Sequence, residues 1–99
     1  MLTKNEILDF LKTNKEIFEK KFYLKKIGIF GSFARDEQKE GSDIDIIIER
    51  ESGVKNIFDL DWDLEVMLSS RFNRKVDICT EKYIKPYAKK YVLKDAIYV

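Results

Sequence analysis

Five residues stand out for the chemistry they could do together: Gly31, Ser32, Asp43, Asp45 and Asp77. Asp43 and Asp45 flank a single isoleucine at the head of the run Ile44-Asp45-Ile46-Ile47-Ile48. Side chains alternate along a strand, so both carboxylates fall on one face, where like charges repel and where aspartate is a poor strand former. Bound cations relieve that repulsion. A carboxylate pair of this kind can hold two Mg²⁺ ions about 3.5–4 Å apart. Asp77, in the segment Lys75–Thr80, would complete one metal site if its strand lay beside the first with its carboxylate on the same face. Gly31-Ser32 sits where a strand should pass into a helix. There, exposed N–H groups and the helix dipole favour phosphate, and glycine allows close approach. Plainer roles stay open for each residue taken alone: a turn for Gly31-Ser32, a turn and an exposed strand position for Asp43 and Asp45, the solvated side of a strand for Asp77.

Composition narrows the chemistry. The chain has no histidine and one cysteine, Cys79, which excludes Ser-His-Asp and Cys-His catalysis, an internal disulfide and a cysteine zinc cluster. Any metal must be held by oxygen, which points to Mg²⁺, Mn²⁺ or Ca²⁺. No Gly-x-x-x-x-Gly-Lys-Ser/Thr segment is present, so a P-loop nucleotide site is disfavoured. With 99 residues, 44% hydrophobic and 37% charged, the chain reads as one globular domain over 1–99 with a modest core. It has no apolar run long enough for a membrane, and "MLTKNEILDF" lacks the apolar stretch of a signal peptide, so a cytoplasmic location is expected. Net charge is only +1, but residues 36–66 hold eleven acids against three bases and residues 71–99 hold eight bases against three acids. The two faces are either simply solvated or a cation-collecting centre beside a basic surface. A pI near 7.7 argues against bulk nucleic-acid binding.

The elements that must position these residues follow from periodicity. Thr3 and Glu6 stand in capping-box register ahead of an amphipathic helix through Ile7, Leu8, Leu11, Ile17, Phe18 and Phe22, broken near Thr13-Asn14. Residues 25–30 read as a buried strand, and 32–38 as the first turns of a helix. Residues 43–49 form a strand with Ile44, Ile46 and Ile48 on one face and Asp43, Asp45 and Ile47 on the other. The length of 56–72 favours a helix with Leu60, Leu64, Met67 and Leu68 inward and Asp59, Asp61 and Asp63 as first-turn acids. Residues 75–80 form a strand with Asp77 facing away from Val76 and Ile78. Pro86 opens a last helix with Tyr87, Ala88, Tyr91 and Val92 inward, and 96–99 form an edge strand. Alternating helices and strands imply an α/β sandwich on one small sheet.

"GSFARDEQKEGSDID", a Gly-Ser followed after ten residues by Asp-x-Asp, closely resembles the signature of the DNA polymerase β-like nucleotidyltransferases. The layout "GSFAR…GSDIDIII…KVDIC" most resembles the minimal nucleotidyltransferases, often the antitoxin halves of HEPN–MNT toxin–antitoxin pairs. The resemblance implies a mixed sheet flanked by helices, as in the polymerase β palm. It further implies ATP as substrate, two Mg²⁺ ions, and transfer of a nucleoside monophosphate to a hydroxyl. Carried over by motif, Gly31 and Ser32 would hold the triphosphate, and Asp43 and Asp45 would ligate metal. Asp77 would be the third, metal-ligating acid and could accept the hydroxyl proton, while Arg35 and Ser42 match positions with a phosphate or structural role. The acceptor implied is a tyrosine of a HEPN toxin. Two other readings are a non-catalytic antitoxin that covers its partner, using Tyr83, Tyr87, Tyr91 and Tyr98, and transfer to a small molecule or an RNA end. As packing residues, those tyrosines would be half-buried.

Overall fold

A computed structural model describes all of residues 1–99. The chain runs α1 (Lys4–Thr13), α2 (Lys15–Lys20), β1 (Leu24–Phe30), α3 (Gly31–Ala34), β2 (Ile44–Arg50), α4 (Ile57–Phe72), β3 (Val76–Thr80), a 3₁₀ turn (Glu81–Tyr83), α5 (Pro86–Asp95) and β4 (Ile97–Tyr98). Thr3 caps α1 by accepting the Glu6 N–H at 3.2 Å. Asn14 separates α1 from α2, its side-chain amide donating to the Phe10 carbonyl at 2.9 Å.

The sheet is mixed, in the order β3-β2-β1-β4. β1 is antiparallel to β2 and β4, while β2 and β3 are parallel. The residues between β2 and β3 include α4, the crossover that a parallel pair requires. Alternation along the strands divides the sheet into two unlike faces. Ile27, Ile29, Ile44, Ile46, Ile48 and Val76 are buried in one cluster with Ile7, Leu11 and Phe18 of α1 and α2 and Leu64 and Leu68 of α4. Leu60 and Met67 pack at its margin. The other face carries Asp45, Ile47, Asp77 and Cys79. Ile47 is fully buried there without joining the main cluster. Burying each of these isoleucines contributes about 1.5–3 kcal/mol, which sets the register of β2 and with it the direction of Asp45.

β4 comes so close to β1 that a Cβ on Gly28 would lie 2.2 Å from the Ile97 carbonyl oxygen. The edge pairing therefore needs glycine at that position. At the end of β2, buried Arg50 donates from Nε to the Phe22 carbonyl at 3.0 Å and places Nη2 2.8 Å from Asp61 Oδ1. The second contact is an ion pair whose angles fall outside hydrogen-bond geometry.

Three expectations are corrected. The helix after Gly31 stops at Ala34, because Asp36 turns into the left-handed region at φ 57° and ends the helical run. Asp61 and Asp63 are not first-turn acids, since α4 starts at Ile57 and has only Asp59 in that turn; Asp61 serves as the partner of Arg50, and Asp63 lies exposed a turn further on. Tyr87 and Tyr91 point outward, leaving Ala88, Val92 and Leu93 as the sheltered apolar residues of α5. A small Ala88 suits a helix lying close to β1 and α3, and the tyrosines keep their rings and hydroxyls in water. No helix is long and apolar enough to cross a membrane.

Replacing Ile46, fully buried at the centre of this sheet, by alanine should cost about 2–5 kcal/mol. Urea denaturation should show a lower midpoint with an unchanged slope.

Candidate functional site

The parallel pairing of β2 with β3 sets Asp45 directly opposite Asp77. Register partners point to the same side of a sheet, so both carboxylates stand on the face away from the main core. Asp43 lies just before β2, two residues from Asp45. Between the outer two acids sits Lys75, its Nζ 3.8 Å from Asp43 Oδ2 and 4.0 Å from Asp77 Oδ1. The three acids thus come from two strands and face one region. They do not close around a common point at ligand distance.

Asp45 is the electrostatic centre of the group. Partial burial pushes its carboxyl above the usual range, and the charges of Asp77 and then Asp43 push it further; only Arg35 acts in the opposite direction. A site in which like charges oppose ionisation favours a divalent cation, and the donor set is hard carboxylate oxygen, the chemistry of Mg²⁺ or Mn²⁺. Cys79 lies on the same face of β3, and burial, then the Asp45 charge, raise its thiol above the ordinary value.

Gly31 belongs to this group by contact as well as by motif. It opens α3 at φ +72°, and a Cβ there would fall 2.1 Å from Asp45 Oδ2. The glycine lets the chain turn directly over the Asp45 carboxylate, joining the two halves of the sequence signature. Ser32, half-buried in the first turn of α3, follows it. Its carbonyl accepts the Glu37 N–H at 2.9 Å, which folds the loop back over the turn.

Arg35 and Ser42 occupy bracing positions. Arg35 donates to Glu37 at 2.9 Å and to Asp95 at 3.2 Å, tying the end of α3 to the end of α5. Those two carboxylates hold its guanidinium above the ordinary range. Ser42 Oγ accepts the Lys39 N–H at 2.8 Å, and its carbonyl accepts from Arg74 at 2.8 Å. Arg74 also lies over the Phe33 ring at 5.4 Å, so one guanidinium fastens the loop before Asp43 to α3. Neither Arg74 nor Lys75 is marked by sequence reasoning. The only signal was their position immediately before the Asp77 strand. On the same face, Glu81 accepts from the Tyr98 hydroxyl, with Lys26 Nζ 3.6 Å from Glu81 and 5.2 Å from the Tyr98 ring centroid. Hydrogen bonding to Tyr98 lowers the Glu81 carboxyl, while burial and Glu81 raise the Tyr98 phenol. Tyr98 is therefore half-buried and held, unlike Tyr83, Tyr87 and Tyr91.

The family model described as "Nucleotidyltransferase domain" matches residues 11–99. A Methanocaldococcus jannaschii protein, MJ1217, provisionally named a protein adenylyltransferase, is 42% identical over the whole of both chains. Protein adenylyltransferase MntA of Thermococcus cleftensis is 35% identical, covering all of this chain and 98% of its own length. Among solved structures, a toxin–antitoxin complex with AMP-PNP superposes with a TM-score of 0.67 at 26% identity, over 98% of this chain and 72% of the other.

Two outcomes test the geometry. Gly31→Ala should destabilise the fold by at least about 1 kcal/mol from its left-handed backbone alone, with the Asp45 contact adding to it; chemical denaturation reads the loss. Asp45 binds its proton more tightly folded than unfolded, so its penalty is absent below the ordinary carboxylate range and grows as pH rises through the raised value. Asp45→Asn, in chelator, should therefore raise Tm at neutral pH, and the gain should vanish at low pH.

Proposed function

This chain belongs to the nucleotidyltransferase domain family and is a nucleotidyltransferase, and on that premise we propose that it moves AMP from ATP to a tyrosine hydroxyl of a HEPN-type toxin, acting in the cytoplasm as the toxin's antitoxin. The observation that carries this reading is the in-register Asp45–Asp77 pair, with Asp43 beside it and Gly31 against Asp45. Full-length similarity to a protein adenylyltransferase supports a protein acceptor, and likeness to a toxin–antitoxin complex holding AMP-PNP supports the toxin and the adenine nucleotide.

In this mechanism the Gly31 and Ser32 backbone N–H groups and the Ser32 hydroxyl receive the triphosphate at the start of α3. Asp43, Asp45 and Asp77 are the residues that would hold the metal. Two Mg²⁺ ions bound there would neutralise the crowded acids, acidify the attacking hydroxyl and stabilise charge on the reacting phosphorus and the departing pyrophosphate. The acceptor oxygen forms a bond to the α-phosphorus, and the bond between that phosphorus and the oxygen bridging to the β-phosphate breaks. The hydroxyl proton passes to Asp77, the more exposed of the paired strand acids. Lys75, exposed and 3.8–4.0 Å from Asp43 and Asp77, stands where its mobile ammonium can meet a phosphate oxygen of the nucleotide. Arg35 acts on the nucleotide or on Asp45 by charge, whereas Ser42 acts through the loop that presents Asp43. Positioning and charge neutralisation suffice for phosphoryl transfer, which is why a chain without histidine can perform it.

A second reading has its own observation. Tyr83, Tyr87 and Tyr91 are exposed, so the chain could neutralise a partner by covering it. The full chain incubated with α-labelled ATP, Mg²⁺ and the HEPN-type product of an adjacent gene should place label on a toxin tyrosine. The Asp43→Asn/Asp45→Asn double variant should lower transfer by about 10²–10³-fold and lose neutralisation. Neutralisation that survives the double replacement would establish covering as the mechanism, and a folded pair that takes no label would refute adenylylation.

A further inference from the structure

Helix α4 buries Leu64 and Leu68 but turns a second apolar row to solvent. Phe58 is 90% exposed, Trp62 66% and Val66 45%. Residues four apart stand above one another on a helix, so the row is continuous over about 12 Å. Large aromatic side chains left in water in such a row mark an interaction surface. Between this row and β3 lies a cleft of about 240 Å³ lined by Phe58, Asp61, Trp62, Glu65 and Ile78. Phe58, Trp62 and Ile78 give it apolar walls on one part, and Asp61 and Glu65 make the rest polar. Exposed Asp59 and Asp63 extend the negative charge along the helix.

A matching surface lies on the same molecule. Tyr87 and Tyr91, one turn apart on α5, and Tyr83 in the preceding 3₁₀ turn are 76%, 65% and 66% exposed. Lys82, Lys85, Lys90 and Lys94 surround them, also exposed, with Lys82 and Lys90 lying over the rings of Tyr83 and Tyr91. A cleft of this mixed lining suits a tyrosine beside a lysine: the ring meets Phe58, Trp62 and Ile78, and the hydroxyl and ammonium meet Glu65 and the exposed Asp59 and Asp63, Asp61 being held by Arg50. The chain already builds this combination once internally, where Glu81 accepts from the Tyr98 hydroxyl while Lys26 pairs with Glu81 and lies over the Tyr98 ring.

We propose that the α4 cleft of one molecule receives the Tyr83–Tyr91 row of a second copy of this chain. The acidic aromatic row of α4 and the lysine-edged tyrosines are complementary in charge and are both carried by this chain, which makes a second copy the occupant. The two surfaces belong to different elements, so the contact is heterologous. Each added copy leaves one cleft and one tyrosine row free, and association grows with concentration. The inference does not depend on the acids of the transfer site, since the cleft includes Ile78, on the side of β3 opposite Asp77.

Sedimentation velocity of the full chain tests it. The apparent mass should rise with concentration past twice the 11.8 kDa monomer and fall at high ionic strength. Trp62→Ala and Tyr87→Ala change exposed residues and should leave the thermal melt unchanged, while each weakens self-association at least about tenfold. Mixing the two variants is decisive. Trp62→Ala keeps the tyrosine row and Tyr87→Ala keeps the cleft, so the mixture should form a one-to-one dimer that grows no further. A wild-type chain monomeric at every concentration, a Trp62→Ala variant that associates like wild type, or a mixture that stays monomeric would each overturn the proposal. The first outcome would leave the α4 face to a basic segment of another protein.

Discussion

Everything at the candidate site depends on how β2 lies beside β3. A parallel pair in register places Asp45 opposite Asp77, and a slip of one residue would turn one of them into the isoleucine core. That slip is prevented from the other side of the sheet. Ile44, Ile46 and Ile48 are fully buried, and exchanging their places with Asp43, Asp45 and Ile47 would put carboxylates into the core. The apolar pattern of one face therefore sets the electrostatics of the other. This is how a strand can carry aspartates that its own propensity disfavours.

The site's electrostatics are unresolved within the protein itself. Burial and two neighbouring acids work against ionisation of Asp45, and the cations supplied by the chain stand off: Lys75 at 3.8–4.0 Å from the outer acids, and Arg35 committed to Glu37 and Asp95. Exposed ion pairs at such distances contribute little. A compact divalent charge would satisfy the three acids better than a long flexible lysine can.

Three arginines translate the fold into site geometry. Arg74 links the Ser42 carbonyl to the Phe33 ring, Arg35 links α3 to α5, and buried Arg50 links the end of β2 to the Phe22 carbonyl and to α4. Arg74 and Arg35 brace the loop before Asp43 and the short helix α3, while Arg50 anchors the end of β2. The guanidinium suits this work because its planar fork can serve two partners at once. The loop of residues 36–43, which ends at Asp43, has no buried residue and depends on such contacts.

Local pattern determined much of the outcome. The break at Asn14, the run of β2, the length of α4, the start of α5 at Pro86 and the edge strand at the end were all legible, because periodicity, caps and turn residues act within a few positions of themselves. The motif also identified the acids and the Gly-Ser turn as one group. What stayed hidden needed partners distant in sequence. Asp61 read as a helix-dipole acid until Arg50 was beside it, and Arg74 and Lys75 had no visible role before β3 lay next to β2. Tyr87 and Tyr91 fitted an inward helical stripe as well as Ala88 and Val92 did, and only the close approach of α5 to β1 and α3 decided which residues were sheltered. A sequence states which side chains can share a face. Which face meets which, and which charges then stand together, is settled only when the layers pack.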